Sequence, residues 1–233
     1  MIMRYAAGVL LCGLALQGAA CAQAVDPNLV REVTAVRAEV AHSRLALRRY
    51  TWTETTEVSV KGDIKSKTAL SCIYDSSGEL KKTPLDESKQ KQAPSVVSKR
   101  PVNRKKGDMQ DYIERSVSMI HKYVPPKPEL VQYLLENGRA SFGPAPIGQS
   151  SVVFRNYYQD GDSVKFVFDS ASRTLKHATI STYLVTPKDP VTLEADFEAL
   201  PDGVNHLTTA LLNASAKKVQ VKISNTAYQQ LSN

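Results

Sequence analysis

The four histidines are the residues of this chain best suited to metal binding or acid–base chemistry, and they are scattered. They stand at His42, His121, His177 and His206. None has a second histidine, a cysteine or an acid at a metal-ligand spacing such as that of His-Glu-x-x-His. The sequence therefore predicts no metal site and no cofactor, and each histidine is interpreted as a surface or helix-flanking residue.

Motifs for nucleophilic catalysis are equally weak. Ser-x-x-Lys spacing occurs at Ser88/Lys91 and at Ser215/Lys218, but the Ser-Asp-Asn and Lys-Thr-Gly partners of that motif are missing. The chain has no Gly-x-Ser-x-Gly elbow and no glycine-rich phosphate loop. We predict a protein that is not an enzyme and has no catalytic residue. A triad assembled from distant residues leaves no local motif, so a secreted hydrolase stays open as a third alternative.

The excess of basic residues is concentrated in one segment of a chain whose formal net charge is +7. Its densest part holds five basic residues, namely Lys99, Arg100, Arg104, Lys105 and Lys106. The segment, about 86–107, is predicted to be a loop that is either solvated or in contact with anionic membrane headgroups or a partner. Because no aromatic residue interrupts the cluster to stack on a base, nucleic acid is not expected.

The first 24 residues, which precede any element that could position these groups, have the layout of a secretory signal peptide. A charged start is followed by a short apolar run and by Ala22-Gln23-Ala24. Cleavage before Val25 would give an exported, periplasmic protein. The alternative is an outer-membrane lipoprotein acylated at Cys21. Cys72 is then the one cysteine of the mature chain, where it cannot form an internal disulfide.

Residues 25–233 suit one domain, expected to be monomeric, that begins with a helix and continues with strands. Asp26 precedes a proline, and apolar residues then recur at spacings of four and three, which predicts a helix over about 27–49. From Tyr50 the apolar period is two, which indicates strands joined by tight turns. Glu54 shares a strand face with Trp52, so it is predicted to point inward, beside a ligand headgroup or at the mouth of the fold.

A helical insert is predicted over about 108–138, followed by a run of strands with short turns. The alternation of apolar and polar residues gives the later strands one apolar face. Regular spacing of these strands favours a consecutive antiparallel sheet. The predicted fold class is therefore α+β, a strongly twisted antiparallel sheet whose apolar face is covered by helices.

This layout resembles the LolA/LolB-like superfamily of periplasmic lipoprotein carriers and receptors. The resemblance is carried by the order of elements, by the hairpin Gly161–Tyr183 and by the ending that runs from Val191-Thr192-Leu193-Glu194-Ala195-Asp196-Phe197 to Lys217–Ile223. It implies an incomplete, strongly curved antiparallel β-barrel, a half-barrel, with helices covering a concave apolar face. Carrier members hold a buried arginine on an early strand, whereas Tyr50–Asp75 contains no arginine.

The leading function hypothesis is a non-enzymatic envelope protein that binds a lipid or a lipoprotein acyl chain in a hydrophobic cavity, in the manner of outer-membrane lipoprotein sorting. The alternative is a structural or interaction module of the envelope with a filled core, and ordinary core is the competing interpretation of every predicted lining residue. That lining is Trp52, Leu70, Tyr74, Ile113, Val117, Ile120, Leu134, Leu135, Phe166, Phe168, Leu193 and Phe197.

Overall fold

The structure is a computed structural model that describes residues 25–85 and 104–231, with the side chains of 104–106 left out. The predicted signal peptide, Cys21, Lys99 and Arg100 lie outside these residues. In the described part, three helices and ten strands form an α+β fold. The helices are α1 (Pro27–Ala46), α2 (Arg104–Ile120) and α3 (Pro128–Glu136). The strands are β1 (Tyr50–Val60), β2 (Asp63–Tyr74), β3 (Leu80–Pro84), β4 (Ala140–Phe142), β5 (Gln149–Arg155), β6 (Ser163–Asp169), β7 (Leu175–Tyr183), β8 (Pro190–Ala199), β9 (Asn205–Ala214) and β10 (Val219–Gln230).

The strands make one open antiparallel sheet in the order β3-β2-β1-β10-β9-β8-β7-β6-β5-β4. Every sequence neighbour from β4 to β10 is also a spatial neighbour, as the short turns predict. The exception is β1, which pairs with β10 from Tyr50 opposite Gln230 to Val60 opposite Val219. The predicted open, curved half-barrel is confirmed.

The three helices pack on one face of the sheet and bury its apolar side chains. Helix α1 begins at a capping Asp26, whose carboxylate accepts the N–H of Asn28 at 2.9 Å, and it buries Leu29 and Val33. Helices α2 and α3 add their apolar faces to the same core, which also takes side chains from β1 and from β5 to β10. We call this side of the sheet the helix-covered face.

Buried tyrosines fasten the helical insert to strand turns. The Tyr112 hydroxyl on α2 donates to Asp189 at 2.6 Å, in the turn between β7 and β8. The Tyr123 hydroxyl, just after α2, donates to Asp162 at 2.6 Å and lies 2.7 Å from the Thr182 hydroxyl. Burial and the neighbouring Asp189 carboxylate raise the pKa of Tyr112 to about 12, so this contact keeps its proton at neutral pH.

Some boundaries differ from the sequence predictions. Helix α2 starts at Arg104, so Arg104, Lys105 and Lys106 form its first turn and not the end of a loop. Arginine and lysine are good helix formers, and no proline follows Pro101 to stop the helix there. The short β4 was not predicted, because three residues are too few for a period of two to stand out.

Candidate functional site

The helix-covered face contains a row of three alanines in direct register. Ala178, Ala195 and Ala210 are Cα partners across β7, β8 and β9. Phe166 continues the row on β6 and Ile223 continues it on β10. Because side chains in register point to the same face, the small alanines form a low floor between two bulky residues.

Apolar side chains around this floor remain partly open to solvent. We call the five residues that pack on the alanines the apolar strip. Each is half-buried, unlike the fully covered residues under the helices. Two of them also contact the main core, which places the strip beside the helices on the same face. The strip consists of Phe166, Leu193, Phe197, Leu207 and Ile223.

The predicted lining residues divide between this strip and the filled core. Phe166, Leu193 and Phe197 belong to the strip. Phe168 is 1 % exposed and Leu134 is 0 % exposed, so both are enclosed by other side chains. Two more predicted residues, Ile120 and Leu135, are buried in the same core, and Ile113 and Val117 pack half-buried against it. A ligand would reach these helix residues only after α2 or α3 had moved.

The remaining predicted residues lie near the other end of the sheet, around the single tryptophan of the chain. Trp52 is 8 % exposed and its ring lies 5.7 Å from that of Tyr74. Leu70 is half-buried opposite Glu54. The alanine row reaches β1 at Thr56, which is opposite Ile223. Counted in inward-facing rungs from there, Leu70 is one rung away, Trp52 two and Tyr74 three, so the structure brings them beside the strip but not into it.

Glu54 points inward, as its strand position predicts, and is paired with a lysine. Its carboxylate is 12 % exposed, and both of its oxygens lie 2.7 Å from Nζ of Lys82 on β3. Lys82 keeps 37 % of its side chain exposed, so the pair reaches solvent only on the lysine side. This chain therefore holds a buried carboxylate on an early strand, neutralised by a lysine.

The sheet opens next to this pair, because β9 and β10 stop pairing at Thr209 opposite Ser224. Two side chains replace the missing backbone bonds. The Asn225 amide donates to the Leu207 carbonyl at 3.1 Å, and the Tyr228 hydroxyl donates to the same carbonyl at 3.2 Å. Tyr228 can face inward because Ala227 before it has a φ of 54°, which inserts an extra residue opposite Trp52.

Within the described part of the chain, three buried polar atoms in this gap find no hydrogen-bond partner. They are Nε1 of Trp52, Nδ1 of His206 and Oδ1 of Asn225. The Trp52 ring stacks on Tyr228 at 5.6 Å, and the His206 ring meets the edge of Tyr228 at 4.2 Å. Burial lowers the pKa of His206, which keeps its imidazole neutral at pH 7. We call these four residues, together with the Glu54–Lys82 pair, the buried polar cluster.

His177 lies on the opposite face of the sheet, in an arrangement that the sequence analysis missed. Its Nδ1 is 2.7 Å from Oδ1 of Asp196, and its Nε2 is 3.1 Å from the Thr179 hydroxyl. This order of hydroxyl, imidazole and carboxylate follows triad logic. It stands on a sheet surface whose backbone N–H groups are used in strand pairing, so an oxyanion hole has no donors here. The β7–β8 register, which brings Asp196 opposite His177, was the missing signal.

One surface depression is charged and lies away from the strip. It has a volume of about 520 Å³ between α2 and the end of β7. Its lining consists of Asp111, Glu114, Arg115, Ser118, Met119, Lys122 and Leu184. Its mixed charges do not suit an acyl chain. Within residues 25–85 and 104–231, no helix has both the length and the apolar character needed to cross a bilayer.

Several solved structures are similar to this chain. A LolA superfamily protein from Nitrosomonas europaea shares 9% identity, with 85% of this chain and 94% of that one covered and a TM-score of 0.38. A domain described as an outer membrane lipoprotein-sorting protein, from Vibrio parahaemolyticus, shares 10% identity, with coverages of 87% and 94% and a TM-score of 0.36. A DUF1329 family protein from Desulfovibrio piger shares 9% identity, with coverages of 84% and 92% and a TM-score of 0.32.

Two of these descriptions name the group that the sequence resemblance names. The likeness concerns the fold alone at such low identities. No protein-family model and no curated protein matches the sequence. The function therefore has to be argued from the side chains of this chain.

Proposed function

We propose that this protein is a non-enzymatic, exported envelope protein that binds the acyl chain of a lipid or of a lipoprotein along its apolar strip. One observation carries the proposal: five half-buried apolar side chains pack on a floor of in-register alanines on the helix-covered face. Apolar side chains scattered singly on a surface need no explanation, but a continuous strip is typical of a binding surface.

The strip suits a long, thin ligand because its floor is low and its rims are high. The three alanines are only 5–8 % exposed because the strip residues pack on them, so a ligand would lie on the strip and reach the alanines as those side chains turn aside. Phe166 and Ile223 stand at the two ends of the row. Each methylene group that an acyl chain buries here contributes about 0.8 kcal/mol, so eight methylenes contribute about 6 kcal/mol before the cost of ordering the chain. No catalytic group is required for such binding.

The test is to place a larger side chain in the alanine row and to measure the binding of a fluorescent fatty acid. Ala195→Leu raises the floor at its centre, and we expect at least tenfold weaker binding. The matched control is Ala199→Leu, because Ala199 is an exposed residue on the same strand. Phe197→Ser, which removes a rim residue without adding bulk, covers the case in which Ala195→Leu fails to fold. Unchanged affinity in both folded strip variants would contradict the proposal.

A filled interaction module is the second candidate, and the burial of the predicted helix residues favours it. Ile120, Leu134 and Leu135 are enclosed in the core and offer no surface to a ligand in this structure. If the wild-type protein binds neither fatty acids nor lipopeptides, this candidate replaces the first. Its partners would then be other envelope proteins.

The location and the partners belong to the same proposal. The predicted signal peptide supports export to the periplasm, with anchoring at Cys21 as the alternative. The first turn of α2 carries Arg104, Lys105 and Lys106, which together with Lys99 and Arg100 form a basic segment that suits an anionic membrane surface. Replacing these five residues with glutamine should weaken binding to anionic vesicles and leave fatty-acid affinity unchanged.

A further inference from the structure

We infer that the buried polar cluster receives the polar end of the acyl ligand and selects an uncharged headgroup that both donates and accepts hydrogen bonds, such as an amide. The inference rests on the proposed function, because it assumes that an acyl chain lies along the apolar strip. It adds a chemical class to that ligand, which the strip alone cannot specify.

The cluster continues directly from the strip. Asn225 lies two residues after Ile223 on the same face of β10. His206 precedes Leu207 on β9 and pairs with Glu198, and its ring joins the cluster through Tyr228, at 4.2 Å. The Leu207 carbonyl accepts the bonds from both Asn225 and Tyr228, so a strip residue is also the anchor of the cluster. A chain that lies along the alanine row therefore ends within one or two rungs of the unpartnered atoms.

The unpartnered atoms define the hydrogen bonds that a ligand must make. Nε1 of Trp52 can only donate, and Oδ1 of Asn225 can only accept. Nδ1 of His206 does either, according to the tautomer of the neutral ring. Leaving a buried polar group unpartnered is costly, and a native structure has few such groups. A single group with both an N–H and a carbonyl oxygen would satisfy a donor and an acceptor together.

Charge in the cluster disfavours an anionic headgroup. Glu54 already holds Lys82 through both of its oxygens, so the lysine charge is neutralised. The His206 imidazole, whose pKa is lowered by burial, adds no positive charge at pH 7. Because the Glu54–Lys82 pair has no net charge, a ligand carboxylate would lose its water here without a positive charge to compensate, which weakens its binding.

Tyr228 is the side chain that a headgroup would displace. It is half-buried, and its hydroxyl makes one hydrogen bond, to a carbonyl that Asn225 also uses. The two rings that Tyr228 contacts, those of Trp52 and His206, carry two of the three unpartnered atoms. Movement of the phenol therefore exposes the atoms that the headgroup would bind, while Asn225 keeps the Leu207 carbonyl satisfied.

The experiment compares three ligands of equal chain length in the purified protein at pH 8: dodecanamide, methyl dodecanoate and dodecanoate. Trp52 is the only tryptophan of the chain, so its emission reports directly on the cluster. We expect dodecanamide to bind at least tenfold more tightly than dodecanoate and to shift the Trp52 emission. The affinity of methyl dodecanoate should lie between those two, because the ester has no hydrogen-bond donor.

Two variants assign that preference to the cluster. Asn225→Leu removes the acceptor, and His206→Phe keeps a ring against Tyr228 but removes both nitrogens; each should reduce the amide-to-carboxylate ratio at least threefold. Asn213→Leu, on the same sheet but outside the cluster, is the matched control. Equal affinity for the three ligands, or a ratio unchanged in both variants, overturns this inference and leaves acyl binding intact. Absence of binding by all three ligands overturns the proposed function and this inference with it.

Discussion

The turn between β5 and β6 depends on one buried carboxylate, and its removal should destabilise the whole insert. Asp162 is 2 % exposed. Its Oδ1 accepts the N–H of Tyr157, and its Oδ2 accepts the N–H groups of Tyr158 at 3.0 Å and Gln159 at 2.8 Å. Oδ2 also accepts the hydroxyl of Tyr123, which fastens the segment after α2. The change we consider is Asp162→Ala.

The magnitude follows from what each donor loses. The Tyr157 N–H is buried, and a buried donor without a partner costs about 2 kcal/mol. The Tyr123 hydroxyl keeps Thr182 as a partner, so its loss is about 1 kcal/mol. The N–H groups of Tyr158 and Gln159 are part-buried and regain water at a cost of about 0.5 kcal/mol each. The expected loss is about 4 kcal/mol in the free energy of unfolding.

Urea unfolding followed by circular dichroism and Trp52 fluorescence measures this loss. Asp160→Ala is the matched control, because Asp160 is an exposed residue of the same turn, and its effect should stay within about 0.5 kcal/mol. Asp162→Asn keeps the size but turns one acceptor into a donor, so we expect an intermediate loss. The reasoning is refuted if Asp162→Ala costs less than about 1 kcal/mol or no more than its control.

Three further predictions concern other parts of the fold. Burial lowers the folded-state pKa of His206 below the ordinary value of about 6.5, so the unfolded chain takes up the proton first. The free energy of unfolding should therefore fall as the pH drops from 7 to 5. His206→Phe should reduce this pH dependence in urea titrations. Ala227→Gly should raise the free energy of unfolding by about 0.5–1 kcal/mol, because Ala227 has a φ of 54°. Ala210→Gly, in an extended strand, should lower the free energy of unfolding. Cys72 is 0 % exposed, and burial raises the pKa of its thiol, so the thiol should be unreactive in the folded protein. Peptide mass mapping after iodoacetamide treatment should find Cys72 labelled only in urea. Labelling of the folded protein would contradict this.

Local patterns in the sequence predict the hairpins and the sides of the strands. The period of two placed Trp52, Glu54 and Phe166 on the inner face, and glycine-containing turns marked where strands reverse. The pairing of β1 with β10 left no such signal. It joins residues far apart along the chain, so no turn between neighbouring strands marks it.

The candidate site was predicted in part for the same reason. Alternation identifies Phe166, Leu193 and Phe197 as inward-facing, but it identifies Phe168 in the same way. The positions of the helices on the sheet decide which of these side chains stays half-buried. Those positions depend on contacts between distant residues, such as the one from Tyr112 to Asp189. The alanine row was missed because three alanines on three strands become neighbours only once the register is known.

The central place of β1 and β10 in the sheet bears on the order in which the chain acquires its structure. As the polypeptide is synthesised, β1 to β3 are complete long before β10 exists, and one edge of β1 then has no strand to pair with. At one end of this seam the Leu231 N–H donates to the Arg49 carbonyl at 2.8 Å. Pairings between such distant segments form slowly, so a nascent chain carries an open, aggregation-prone strand edge until β10 arrives. Completion of the sheet therefore waits for a partner strand about 160 residues away along the chain.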